Sequence, residues 1–497
     1  MNEVLQIIKD SSLTYEQKVL TLARAAENSI NVLKIDDDSK EYLSEGIICD
    51  LGEGHAPYRP RYIVPDYDKF MKNGSAFLGL KPAKDIWEAT NNLLILYRHV
   101  PSITSFPVSL GNIDTLLEPY VNDEEEAFRA IKLFLLHIDR TITDSFCHAN
   151  IGPFDTKAGR LILKAQRELQ AAIPNITLKY SKDTSESFAI DCVNTALVTA
   201  KPSFANHEMF SSEFGENYNI VSCYNGLYTG GGSYTLCRLN FAFLGKKAKN
   251  IEDFINKVLP DAVVRMAKYM DERVKFLVEQ SGFFETSFLV KEGLISRDKF
   301  SAMFGMFGLA DCVNYLLNAK EEKDRFGHSN EANSLGLKII AKLEEEVKKH
   351  KAPYCEASNN CYILHSQVGI DSDKGITPGC RIPIGEEPEL PQHIIKSAPF
   401  HKYFPSGIGD IFPFETTAKK NPKFVLDIIN GAFKLNMRYF SLYASDSDVI
   451  RITGYLVKKS DIEKLNKGEQ ALQDTVVLGL GAVKNQKVLE RKVTKYE

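Results

Sequence analysis

The chain has 497 residues, 44% hydrophobic and 25% charged, with one Trp against 29 Phe and 21 Tyr, enough for one large domain or two to three smaller ones. Its 61 basic and 65 acidic residues leave a net charge of -4, and no long basic run argues for nucleic acid or an anionic membrane surface. No apolar stretch approaches the roughly 20 residues that span a bilayer, and the N-terminus lacks a signal-length apolar core, so a soluble, cytoplasmic protein is expected.

In chain order, the first 35 residues read as helical: LTYEQKVLTLARAAENSINVL places Leu13, Val19, Leu20, Leu22, Ala23 and Ala26 at the spacing of one apolar helix face. The Gly/Pro-rich GEGHAPYRPRYIVP, residues 52–65, is a loop or boundary. Helical patterns such as DEEEAFRAIKLFLLHIDRTI and TKAGRLILKAQRELQAAI then alternate with short apolar runs to about residue 200. FAIDCVNTALVTA, residues 188–200, has helix-like spacing but short length. The region 218–246, around the run NYNIVSCYNGLYTGGGSYTLCRLNFAFLG that begins at Asn217, sets two β-rich segments on either side of a Gly-rich loop. A helix from Ile251 to Gln280 follows, then the small-residue segment FSAMFGMFGLADCVNYLL and an amphipathic helix ending near Lys351. Residues 352–415 are rich in Pro and Gly and read as long ordered loops; helices at 422–435 and 460–470 bracket MRYFSLYASDSDVIRITGYLV. Alternating helices and short strands predict an α/β architecture.

Nine Cys, odd in number and scattered through a chain too large to need staples, are expected to be free thiols in a reducing compartment. Most would serve as small hydrophobes. Cys355, Cys361, His365 and Cys380 offer zinc-ligand chemistry, but the spacing C-x5-C-x3-H-x14-C matches no common site, and no metal is expected. Gly230-Gly231-Gly232 lacks the Lys-Ser/Thr of a phosphate loop and reads as a tight turn, and GLGAV at 479–483 reads as packing.

The sharpest signal is Arg451-Ile-Thr453-Gly454-Tyr455 near the C-terminus. Taken alone, it also reads as a buried strand whose Gly is a bulge or close-packing point. It resembles the signature of glycyl radical enzymes: an Arg, a β-branched residue, a small residue, then Gly and an aromatic. A radical on Cα is stabilised by delocalisation into both flanking amides, which needs a planar centre, and Gly alone has no side chain to crowd it. Cys223, in IVSCYNGLYTGGG, stands where that family carries the mid-chain Cys that relays the radical to substrate as a thiyl. The stretch after it, together with FSAMFGMFGLADCVNYLL, DRFGHSNEANSLGLKIIAKL, FHKYFPSGIGDI and MRYFSLYASDSD, is similar to anaerobic ribonucleotide reductases. The likeness extends from about residue 188 to 460.

Departures narrow the family. Pyruvate formate-lyases pair two Cys where this chain has Ser222 and Cys223; diol dehydratases carry Cys-x-Glu where it has Asn225. No CxxC supplies the reductases' zinc site, and the N-terminus is too short for their regulatory domain. The short YjjI type of glycyl radical enzyme remains.

That resemblance implies a barrel of ten strands in two five-stranded halves, surrounded by helices, with two finger loops inside bearing Cys223 and Gly454. It implies an N-terminal helical segment at 1–60, a catalytic body at 61–430 and a glycyl radical domain at 431–497. Arg451, Thr453 and Tyr455 would support the radical loop. Tyr224, Asn225, His207 and His401 are pocket candidates, each also readable as a hydrogen-bonded structural residue; Glu208 and Glu213 are possible replacements for the missing base. Cys237 is the rival thiyl. Thr377-Pro-Gly-Cys380-Arg381, followed by GEE, resembles a loop of dehydratase-like members. No bound cofactor is implied beyond the radical itself, installed by a radical S-adenosylmethionine activating enzyme after 431–497 swings out. The implied context is anaerobic, with oxygen cleaving the backbone at Gly454, a small-molecule substrate, and a homodimer or larger assembly. Two alternatives are a ribonucleotide reductase-like, dehydratase or acyltransferase reaction and, from another class, a non-catalytic spare radical scaffold.

Overall fold

The computed structural model describes residues 2–50, 57–102, 109–142, 146–366, 373–452, 454–473 and 488–495. Thr453 and the GLGAV segment therefore lie outside the described residues, as does part of the 52–65 passage. Two large sheets organise the chain. In the first, strands Gly231–Asn240, Phe300–Phe307 and Ile363–Ser366 run parallel, and Ile48–Cys49 and Tyr62–Val64 pair antiparallel with Gly231–Asn240. In the second, the spatial order is Asp410–Phe414, Tyr439–Ala444, Ser203–Asn206, Asn175–Tyr180, His148–Ile151 and Ser109–Asn112. Among the described residues its one antiparallel pairing is Tyr439–Ala444 with Ser203–Asn206.

The expected halves of five strands thus appear as five and six, and no ladder among the described residues closes them into a cylinder. One isolated bridge, His365 to Gly407, links the end of the first sheet to the approach of Asp410–Phe414. Both sheets are buried on both faces, which is why their strands read as continuous apolar runs rather than alternating ones. Helices flank them: Leu259–Glu279 packs on Gly231–Asn240 and in turn on Asn330–Lys349, while Glu186–Thr199 packs on Tyr439–Ala444 and is followed outward by Lys157–Leu169 and Glu124–Thr141. No described helix is long and apolar enough to cross a membrane.

The segment 188–200 is helical, capped by Ser185 on the Phe188 amide. The region 218–246 contains three strands, not two: Tyr218–Val221 and Asn225–Tyr228 form a hairpin, and the Gly-rich turn leads into Gly231–Asn240. Glycines are required in that turn, since a methyl at Gly231 would lie 1.9 Å from the Lys299 carbonyl oxygen and one at Gly232 2.0 Å from that of Tyr62. VIRITGYLV is a second hairpin, Val449–Arg451 with Leu456–Lys458. Opposite ends of the sequence are clasped. Gln17 donates to the Ala471 carbonyl at 3.2 Å, and Gln470 donates to the carbonyls of Ser11 and Leu13.

Candidate active site

Two hairpin tips meet in the interior. The first turns at Ser222, which adopts a left-handed φ of 60°, and Cys223 follows it with 4% exposure. Its strands are clamped from the second sheet. Asn150 donates to the Ile220 carbonyl and accepts from the Ile220 amide, both at 2.7 Å, and Lys179 donates to the Tyr218 carbonyl at 2.6 Å. At the tip, His148 Nδ1 lies 2.9 Å from the Ser222 carbonyl oxygen. That oxygen only accepts, so the proton sits on Nδ1. Burial pushes the His148 pKa down to about 3, leaving the imidazole neutral, with Nε2 2.7 Å from Thr177 Oγ1. Tyr439 donates to the Cys223 carbonyl at 3.0 Å. Both carbonyls flanking the thiol are therefore held by the second sheet.

The second tip carries Gly454. Arg451, fully buried, donates through Nε to the Ala200 carbonyl at 2.9 Å and through Nη2 to Asn175 Oδ1 at 3.1 Å. Arg491 donates to the Arg451 carbonyl at 2.6 Å. The Tyr455 ring is buried 5.4 Å from that of Phe146. Asn175 joins the two tips, its Nδ2 donating to the Gly454 carbonyl at 3.2 Å and lying 3.5 Å from the Ser222 carbonyl.

A methyl group added at Gly454 would stand 2.1 Å from Cys223 Cβ and 2.3 Å from its Sγ. A C–C bond adds about 1.5 Å, so Sγ is within about 4 Å of the Gly454 Cα. Burial pushes the Cys223 thiol up to about 11, against the opposing influence of the Ser222 hydroxyl and the Arg381, Arg451 and Arg61 charges. The sulfur accordingly keeps its proton near neutral pH. A C–H and an S–H at this separation, shielded from bulk water, can exchange a hydrogen atom directly.

The remaining candidates divide. Tyr224 is structural in its contacts, donating to the Ser366 carbonyl at 2.9 Å, its ring wedged where a methyl at Gly407 or Gly409 would touch it at 2.9 Å. Asn225 is buried beside the tip with Oδ1 unpartnered. His207 stands near the open end of the hairpin, with Nδ1 2.8 Å from the Tyr218 hydroxyl and Nε2 3.4 Å from Glu216. His401 is buried and accepts from the Arg438 amide at 2.9 Å, and burial pushes its pKa down to about 3. Neither hydrogen-bonds to Cys223, because each is engaged with its own loop. Glu213 pairs with Arg438 at 3.4 Å, and Glu208 accepts from the Lys182 amide. Cys237 lies in a strand of the first sheet, 3.8 Å from Thr235 Oγ1, and no atom of it is among those nearest a methyl at Gly454. Cys355 is in the core, Cys361 half-buried, His365 beside the Tyr224 ring and Cys380 against Met306. Among the described residues no three His, Cys, Asp or Glu side chains gather as a metal ion would require.

Asn150, Asn175, His148, Thr177 and Tyr439 were not singled out by the sequence. HANI and NITLKY carry no motif, and MRYFSLY lies in a family-like stretch that does not single out Tyr439; only the recurrence of polar residues in otherwise apolar strands marks them.

The family model described as glycyl radical enzyme YjjI-like matches residues 13–494. A protein of Haemophilus influenzae is 47% identical over 500 residues, covering 99% of this chain and 97% of the relative. The protein YjjI of Escherichia coli is 42% identical over 490 residues, covering 98% and 94%. The fold is similar to the anaerobic ribonucleotide reductase of Thermotoga maritima, at TM-score 0.72 and 10% identity, over 88% of this chain and 86% of that one.

Proposed function

The chain belongs to the YjjI-like glycyl radical enzyme family, and from that premise we propose that it stores an unpaired electron on Gly454 and spends it through Cys223 on a small polar substrate. The observation that carries this is the approach of the two tips, a methyl at Gly454 reaching to 2.3 Å from the Cys223 sulfur. An activating enzyme of the radical S-adenosylmethionine class removes one hydrogen atom from the Gly454 Cα. The Cα radical then takes the hydrogen atom of the Cys223 S–H, restoring Gly and leaving a thiyl. The thiyl takes a hydrogen atom from a substrate C–H, reforming S–H and leaving a substrate radical. After rearrangement or bond cleavage, the product radical takes the hydrogen back from S–H, and the thiyl recovers the Gly454 hydrogen. Atoms and electrons balance, so no resident cofactor is consumed. A protonated thiol suits this role, because a thiolate has no hydrogen atom to give.

Arg451, with Asn175 and Arg491, holds the radical loop. The two sheets form the walls of a barrel around the fingers, excluding water from a thiyl that reacts with whatever reaches it. Anaerobic, cytoplasmic operation as a homodimer or larger assembly belongs to the same proposal.

The test is anaerobic activation followed by electron paramagnetic resonance. Gly454→Ala is a poor control by itself, since its methyl has no room beside Cys223. Protein labelled with α-deuterated glycine provides a cleaner one. A doublet from the remaining α-hydrogen, collapsing on deuteration, is expected. Cys223→Ala should keep the doublet and lose turnover; turnover surviving in that variant would remove Cys223 from the pathway and leave the spare-scaffold alternative or another thiol.

A further inference from the structure

Two buried guanidinium groups whose charges act on the Cys223 sulfur each carry an N–H with no acceptor among the described residues. Arg381, 8% exposed, donates through Nε to the Gly409 carbonyl at 2.8 Å, and its Nη1 has no partner. Arg451, with its Nε and Nη2 bonds to Ala200 and Asn175, likewise leaves Nη1 unpartnered. The Arg381 guanidinium lies 5.9 Å from the Tyr224 ring, the residue next to the thiol, and it leads the charges acting on the Cys223 sulfur, ahead of Arg451 and Arg61.

Negative charge does not balance them. Arg451 has no carboxylate within ion-pair distance among the described residues. The carboxylate near Arg381, Asp410, is 4.0 Å from Nε and is shared with His393, whose Nε2 is 3.5 Å away. Burial opposes ionisation of Asp410, yet His393 and the Arg381 charge outweigh it and hold its carboxyl below the usual range. Asp410 is therefore divided between Arg381 and His393, and Arg451 has no carboxylate of its own among the described residues. Uncompensated buried charge is costly, and an unmade hydrogen bond from a charged donor adds to that cost. A planar guanidinium with a free N–H is matched best by an oxyanion.

Resting on the relay through Cys223, we propose that the compound acted on there is a small organic anion, its carboxylate or phosphate end bound by Arg381 Nη1 with Arg451 adding to the positive field. Asp410, kept ionised, orients Arg381 from the other side. Arg381 is thus a specificity-determining residue, and the thiyl meets a C–H on the uncharged part of the substrate.

The experiment uses full-length activated protein carrying the doublet. Low-mass metabolites from the producing cells are split on an anion exchanger into retained and unretained fractions, and consumption is followed by mass spectrometry against Cys223→Ala. Consumption confined to the retained fraction is expected, and phosphatase treatment of that fraction separates phosphate esters, whose consumption it abolishes, from carboxylates. Arg381→Gln should raise KM for the consumed compound roughly 10- to 100-fold with kcat much less changed, and Arg381→Lys should recover part of it. The doublet should be the same size in both variants. Consumption from the unretained fraction, or an unchanged KM in Arg381→Gln, overturns the anion assignment while leaving the relay intact. A doublet with no Cys223-dependent consumption from either fraction overturns the relay and the assignment together, and absence of a doublet overturns Gly454 as the radical site.

Discussion

Asn175 has no reactive chemistry of its own, yet its amide touches the carbonyls of both tips and accepts from Arg451. Asn175→Ala should leave a buried Arg451 donor and the Gly454 carbonyl unsatisfied and cost about 1–3 kcal/mol in stability, measurable by denaturant titration. With the tips no longer tied, the doublet should still form after activation while turnover per radical falls. Equal turnover per radical in the variant would show that packing alone sets the approach. Cys223 makes a second prediction at this scale. With its pKa raised to about 11 from an ordinary 9.0, the folded state binds the thiol proton more tightly than the unfolded state. The resulting stabilisation is complete below about 9 and lost as pH climbs through about 11. Thiolate absorbance, wild type minus Cys223→Ala, should show its inflection near 11; an inflection at 9 would mean a wetter site. Arg451, Gly454, Tyr455 and Cys223 could be singled out because their residue types stand at a recognisable spacing, and the fold brings Gly454 and Cys223 together. Asn175 and His148 could not, because a polar residue in a buried strand looks alike whether it satisfies a neighbouring carbonyl or a hairpin tip far away in sequence.

At the level of elements, helices announced themselves through caps and apolar faces, and Pro422–Lys434 and Lys459–Asn466 differ from the expected 422–435 and 460–470 only at their ends. Strands buried on both faces lose the alternation that would show which side looks inward, so the sheet order, and the six strands of the second sheet, were not readable. The order bears on how Gly454 is exposed to an activator. Tyr439–Ala444 is hydrogen-bonded on both sides, to Asp410–Phe414 and to Ser203–Asn206. Moving it with the rest of 431–497 would tear two ladders, whereas among the described residues the strands of the hairpin Val449–Lys458 pair only with each other. The mobile unit is therefore expected to begin after Ala444. Hydrogen exchange in the presence of the activator should show 449–466 losing protection while 439–444 keeps it; loss in both would restore the longer hinge.

For the molecule as a whole, brief admission of air to the activated protein should break the backbone at Gly454, giving a short C-terminal fragment on a denaturing gel and in intact-mass spectra. Protein never activated should stay whole, and breakage in both would assign the cut to a protease. The family and the meeting of two tips were accessible from sequence because the motifs sit on the two hairpins; the geometry of the sheets around them was not, since it depends on pairings between distant segments. The clasp of Gln17 and Gln470 is the extreme case, joining residues 454 and 459 positions apart. Closing so long a loop carries nearly the largest entropy cost available to the chain. The tail that carries Gly454 should accordingly lock into place late in folding and come loose early, so that the opening required by the proposed activation would draw on a motion the fold already favours.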